Sequence, residues 1–289
     1  MLKLVYYTIL IPFSYLPFKV LWYMSDVAYY ILYYALNYRK DVVRMNLRNA
    51  FPNKTPEELK IIERNYYHHL CSLFFEIMKT ISFNRNLVEK HFQIEENADL
   101  KESFKNGRDV IFMCGHFNNW ELWASAMPYM IDHQCVAVYK PLSNSYAEIK
   151  AKEVRERHGM KMISMNESLK YMYKHQGNKS AYIFLADQSP SNMSKVRWNT
   201  FLNQDTPWML GGTSIGKKLG MDFYFAYIEQ LERGKFKVHF KKISDANDSL
   251  KDVEIIDLYS ENLEEVIREN PQFWLWSHKR WKHKKQDHV

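Results

Sequence analysis

Cysteine, glycine and proline are scarce in these 289 residues: three, nine and nine. Cys71, Cys114 and Cys135 are odd in number and far apart. They offer neither a disulfide framework nor a zinc-ligand spacing, and they suit a reducing compartment. The shortage of Gly and Pro excludes fibrous and disordered classes. Eleven His are present, but there is no HExxH and no His pair with a carboxylate or Cys at a familiar ligand spacing, so no metal and no cofactor is expected. No zinc-finger or RNA-recognition signature accompanies the net charge of +7, so that charge points to anionic lipid or an acidic carrier rather than to nucleic acid. A long apolar run is missing as well. The longest uncharged stretch, Leu4–Phe18, has 15 residues and contains Pro12 and Pro17, whereas a simple spanning helix wants about 20.

Aromatic residues are plentiful, at 16%. Residues 1–38 hold 12 of them and only three charges, Lys3, Lys19 and Asp26. This composition fits a membrane-associating segment at headgroup depth, as a shallow insertion, a tilted helix or a broken hairpin. The plainer reading is a Tyr-rich helix pair inside a soluble core. No small-residue cleavage site follows, which argues against a removed signal peptide. Arg39, Lys40, Arg44 and Arg48 come next and place the body, residues 39–289, on the cytoplasmic side.

Beyond a helix from Pro56 to about Ser82, helices and strands alternate from residue 92. The expected strands are Phe92–Glu95, Asp109–Cys114, Cys135–Tyr139, Ser180–Ala186, Phe223–Glu229 and Lys235–Phe240. Between or after them fall helices Leu100–Asn106, Trp120–Met130, Ser145–His158, Asn166–Lys174, Met209–Leu219 and Asn262–Asn270. The pattern predicts an α/β fold with a single central mixed sheet flanked by helices.

The most telling stretch is Cys114–Leu122, CGHFNNWEL. It places His116 and Glu121 around a turn directly after an apolar strand. Composition alone predicts about one His-x4-Asp/Glu match per chain, and a second match, His91 with Glu96, does occur. Only the first follows a strand with a Gly exit, Gly115, and precedes a helix that Asn118 or Asn119 can cap. An imidazole held by a carboxylate there is a general base with its orienting partner. The bland alternative makes Glu121 part of a capping box with Asn118.

Other motifs carry two readings each. In ADQSP, Asp187 and Gln188 sit past a strand end, where α/β folds build sites, or Asp187 only starts a turn. Lys140, after the strand Cys135–Tyr139, can hold a phosphate or an oxyanion. Arg155 or Arg157 on the next helix can reach an anionic headgroup or simply face water. GGTSIGKK, Gly211–Lys218, nearly spells a phosphate-binding loop but ends in Lys where Ser or Thr should hold magnesium; a helix with small residues facing the sheet or a lipid chain fits better. FWLWSHKRWKHKK mixes Trp274, Trp276 and Trp281 with five cations, as a membrane interface or carrier-docking face would; the plainer reading is a solubilising tail after a last packed Trp pair.

Taken in order, RMNLRNAFP, GHFNNWE, VYKPLSN, ADQSP, TFLNQDTP with GGTSIGKKLG, and FWLWSHKRW resemble the bacterial lipid A late acyltransferases, within the wider glycerolipid acyltransferase-like group. The resemblance runs over nearly the whole chain. It implies catalytic His116 and Glu121, and it maps the family's DQ segment onto Asp187 and Gln188. It also implies an acyl carrier protein thioester (or acyl-CoA) as donor, a lipid acceptor, and a place at the cytoplasmic face of the inner membrane. Relatives often carry Arg where this chain has Lys140, a point charge rather than a fork, and many carry Gly where this chain has Phe201-Leu202-Asn203. The expected chemistry is proton removal from an acceptor hydroxyl by His116, with Glu121 fixing the imidazole tautomer. Backbone N–H groups at the helix start near Asn119, with Lys140 or a neighbouring Arg such as Arg155, would hold the oxyanion. An aminolipid or glycerophospholipid acceptor is the alternative, and a non-catalytic lipid-binding protein is the alternative of another class.

Overall fold

The computed structural model describes residues 2–94 and 96–285. The strands are β1 (Phe92–Gln93), β2 (Val110–Cys114), β3 (Gln134–Tyr139), β4 (Lys161–Ser164), β5 (Ser180–Leu185), β6 (Val196–Phe201), β7 (Gln204–Met209), β8 (Asp222–Glu232) and β9 (Lys235–Ser244). Seven of them form one mixed sheet in the order β1-β9-β8-β2-β5-β3-β4, and β6-β7 is a separate antiparallel hairpin. The central strand β2 is parallel to both neighbours, β5 and β8, and among the described residues β8 and β9 are the one antiparallel pair of the large sheet. Its five residues are all buried. Helices on both faces explain why β2 reads as an unbroken apolar run rather than an alternating one.

The expected α/β architecture is therefore present, with differences of detail. The first expected strand starts at Phe92 and pairs with β9; its expected end, Glu95, lies outside the described residues. Strand β4 and the β6-β7 hairpin were not anticipated. The helix expected at 262–270 is the second half of Asp252–Glu269. The hairpin turn puts Leu202 at φ 49° and Asn203 at φ 61°, where the fold wants the left-handed pair of a type I′ turn. A Gly would enter that region freely. Here the turn is pinned instead, because the Leu202 N–H donates to Glu264 and the Asn203 amide donates to the Ala50 carbonyl.

Among the described residues no single helix is long and apolar enough to cross a membrane, but the pair Lys3–Tyr15 and Phe18–Leu36, bent by 119°, has the length and composition together. The second arm is built into the body. Phe18, Leu21, Tyr29 and Tyr33 are buried, and the arm packs along helix Pro56–Met78. Its opposite face exposes Tyr23, Val27, Tyr30 and Tyr34, while Tyr7 and Tyr15 are exposed on the first arm. That first arm meets helix Ser145–Glu156 through the Tyr6–Tyr146 ring pair, 6.1 Å between centroids.

GGTSIGKK folds as helix Gly211–Lys218 and has a packing reason for its small residues. A Cβ on Gly216 would lie 2.4 Å from both Ile111 and Phe223, so only Gly lets this helix settle on β2 and β8.

Candidate functional site

Strands β2 and β5 run side by side in register, Cys114 opposite Leu185. The residues just past their C-terminal ends must then emerge together, which is where open α/β sheets gather their ligands. His116 and Asp187 are those residues. Gly115 makes the exit possible: a Cβ there would sit 2.7 Å from Leu263 and 3.4 Å from the Asp187 carboxylate.

The Asp187 carboxylate receives three donors. His116 gives its backbone N–H at 2.8 Å and its Nδ1 at 2.6 Å, and Trp274 gives its indole N–H at 2.8 Å. Burial would raise the Asp187 pKa, but the His116 charge and these bonds outweigh it and hold the carboxyl below its usual range. For His116, burial would lower the pKa; the Asp187 charge and bond, with a smaller pull from Glu121, win and raise it above the ordinary value. With Nδ1–H given to Asp187, Nε2 is the basic nitrogen. It faces the cavity and accepts from the exposed Gln188 amide at 3.0 Å.

This arrangement corrects the expected partnership of His116 with Glu121. The carboxylate that fixes the imidazole is Asp187, 71 positions away in sequence. Glu121 instead pairs with Arg155 at 2.5 Å. Helix geometry explains why: Glu121 lies in the first turn of helix Trp120–Ala126, on the cavity side, where Arg155 on helix Ser145–Glu156 reaches it. Glu121 does not cap either. The N-cap is Asn119, whose side chain accepts from the Leu122 N–H. The Asn119 side chain is fully buried and does not line the cavity. The second motif is split: His91 bonds the Gly234 carbonyl and Glu96 pairs with Lys101.

His116, Trp120, Glu121, Lys140, Arg155 and Gln188 line one cavity of about 1000 Å³. Away from these polar groups its wall is apolar. Met113, Met127, Met160, Met162, Ile183 and Leu185 belong to it, and unbranched Met side chains suit a flexible hydrocarbon chain. Lys140 and Lys195 stand on the lining with exposed ammonium-bearing side chains.

Of the two readings of the C-terminal segment, the structure takes the packed Trp pair rather than an aromatic surface. Trp274, Trp276 and Arg280 are buried. Asn46, from RMNLRNAFP, donates to the Trp276 and His278 carbonyls, and the Phe273 carbonyl accepts from the Asn118 N–H in the turn after His116. Motifs far apart in sequence thus meet behind Asp187. Trp274 as its donor was missed, although its place in FWLWSHKRW was the available signal.

A model of the bacterial lipid A biosynthesis acyltransferase family matches residues 2–283. The chain belongs to this family. A search of curated proteins finds no match. As a family member the protein is an acyltransferase of lipid A biosynthesis.

One prediction follows from the Glu121–Arg155 pair. Glu121→Gln keeps the shape and removes the charge, while Nδ1 of His116 stays on Asp187. We expect a fall in kcat/KM of about tenfold, from loosened Arg155 and a less favoured imidazolium. A loss as deep as that of His116→Ala, measured by steady-state kinetics, would return Glu121 to the role of direct partner.

Proposed function

We propose that the protein moves a fatty acyl chain from an acyl thioester, carried by an acyl carrier protein or CoA, to a hydroxyl of a lipid A precursor, with the His116–Asp187 pair as general base. The observation that supports this most is the Nε2 of His116, free of Asp187 and facing an apolar cavity. The acceptor hydroxyl takes the place now held by the Gln188 amide and gives its proton to Nε2 as its oxygen attacks the thioester carbonyl. Asp187 stabilises the imidazolium. The C–S bond then breaks, and the leaving thiolate takes the proton from Nε2. Lys140 at the cavity wall supplies positive charge for the developing oxyanion or for a substrate phosphate. No covalent enzyme intermediate is needed.

The bent N-terminal pair, with tyrosines on its outer face, suits seating in the headgroup layer of the inner membrane from the cytoplasmic side. Lys282, Lys284 and Lys285, with Lys279, are the exposed cations of the C-terminal segment and suit an acidic carrier.

The test is acyl transfer by the purified protein in mixed micelles, with labelled carrier-bound and CoA-bound thioesters and each acceptor class. Label on a hydroxyl of the lipid A precursor supports the proposal. Label only on an aminolipid or a glycerophospholipid overturns the acceptor. Reversing the charge of Lys282, Lys284 and Lys285 is expected to raise KM for carrier-bound donor at low salt, and an unchanged KM removes the docking role.

A further inference from the structure

Glu76 is a carboxylate sealed inside the protein. It lies on helix Pro56–Met78 and is 4% exposed. Burial pushes its pKa up, against the bonds it accepts and the nearby Arg233 charge. Replacing so costly a group by an apolar one is often neutral or stabilising, so its presence calls for a task that only two acceptor oxygens can do.

Its two oxygens accept from opposite directions. Oε1 takes the indole N–H of Trp22 at 2.8 Å, and Oε2 takes the side-chain amide of Asn119 at 2.7 Å. Asn119 is the N-cap of the helix that follows His116, and its Oδ1 holds the Leu122 N–H. Between His116 and Asn119, Asn118 stands at φ 55°, a conformation that persists only when its surroundings over-determine it. Those surroundings are the Phe273 carbonyl, which accepts from the Asn118 N–H, and the Ile228 carbonyl, which accepts from its side chain. Trp22 is fixed in turn. The guanidinium of Arg233, in the β8-β9 turn, donates to the Trp22 carbonyl and to Ser25, and pairs with Asp26. One carboxylate therefore joins the helix Phe18–Tyr30 to the turn that carries His116.

We propose that Glu76 is a positioning residue: it sets the turn that aims His116 at the cavity, and it makes that setting depend on how the helix Phe18–Tyr30 is seated. The inference rests on the general-base reading of His116 and on the membrane seating of that helix. A displacement of about 1 Å at the reacting atoms costs about a hundredfold in rate, so a small tilt of this turn is enough to matter. A bilayer that holds the N-terminal arms steady also steadies the imidazole.

Hydrogen-bond polarity gives the test. Glu76→Gln presents one oxygen and one NH2 to two donors, so one contact becomes donor against donor. Asn119→Asp sets carboxylate against carboxylate while keeping a good N-cap. In the double variant the Gln amide donates to the new carboxylate, its oxygen still accepts from Trp22, and the chain of bonds is restored. Each single variant is expected to lose about ten- to a hundredfold in kcat with KM within about twofold. The double variant should return to within about threefold of wild type. Hydrogen–deuterium exchange at residues 117–123 should speed up in both singles and recover in the double. Trp22→Phe should also speed exchange there, although it lies on another helix.

Full kcat per folded molecule in Glu76→Gln, or a double variant no better than the worse single, overturns the positioning role. Unchanged exchange at 117–123 in Trp22→Phe overturns the link to the arm. If wild-type protein transfers no acyl group from any thioester, the proposed function fails, while the exchange measurements still decide whether Glu76 holds the turn.

Discussion

His116→Ala is expected to lower kcat for acyl transfer by about 10⁴-fold or more while leaving the fold intact. The magnitude follows from what the side chain supplies. Removing one member of a base-assisted acyl-transfer unit leaves only binding and electrostatic help over water. The fold should survive because the imidazole stands at the edge of the cavity, packed edge-on against Trp120 at 5.0 Å between ring centroids, and without it the Asp187 carboxylate still receives the residue-116 backbone N–H and the Trp274 indole N–H. Circular dichroism and a thermal melt check the fold, and a single-turnover assay with labelled thioester checks the chemistry. Activity within tenfold of wild type would end the general-base scheme.

Asp187→Asn is the second large effect, expected at about 10³- to 10⁴-fold in kcat. The replacement keeps the size but not the charge. An amide can no longer serve both the His116 Nδ1–H and the Trp274 indole N–H as a carboxylate does. The imidazole then loses its fixed tautomer and the anion that stabilises its cation. A pH profile separates this from misfolding. His116 carries a pKa raised by Asp187, and the protonated ring cannot act as a base, so wild-type kcat/KM falls as pH drops through that raised value. Without the Asp187 charge, the acid limb of the residual activity should move to lower pH. An acid limb that stays in place would mean that Asp187 does not set the His116 titration.

The comparison of Asp187 with Glu121 shows what a linear chain conveys. The strand–turn–helix around Gly115 was legible because local rules govern it: an apolar run, a Gly exit, an Asn cap. His116 and the cavity-lining positions Lys140, Arg155 and Gln188 could be named from their places after strands or on the next helix. The partner of the imidazole could not. Spacing favoured a carboxylate five residues away, but sheet order β2-β5 decides the matter, and that order is set by packing among distant segments. Strand β4 is four residues long and half exposed, too short to announce itself. The β6-β7 hairpin hid because its turn uses Leu202 and Asn203 in place of Gly. Burial of the C-terminal Trp pair was one of two readings that the sequence left open, because the same aromatic and basic letters describe a membrane face and a wedge driven between helices.

The wedge has a consequence for how the protein comes to life. The Trp274 indole and the Phe273 carbonyl reach the turn behind His116 only after every earlier residue has left the ribosome. A chain clipped before Phe273 therefore lacks both the indole donor of Asp187 and the carbonyl that holds the Asn118 N–H, and the turn after His116 loses its rear brace.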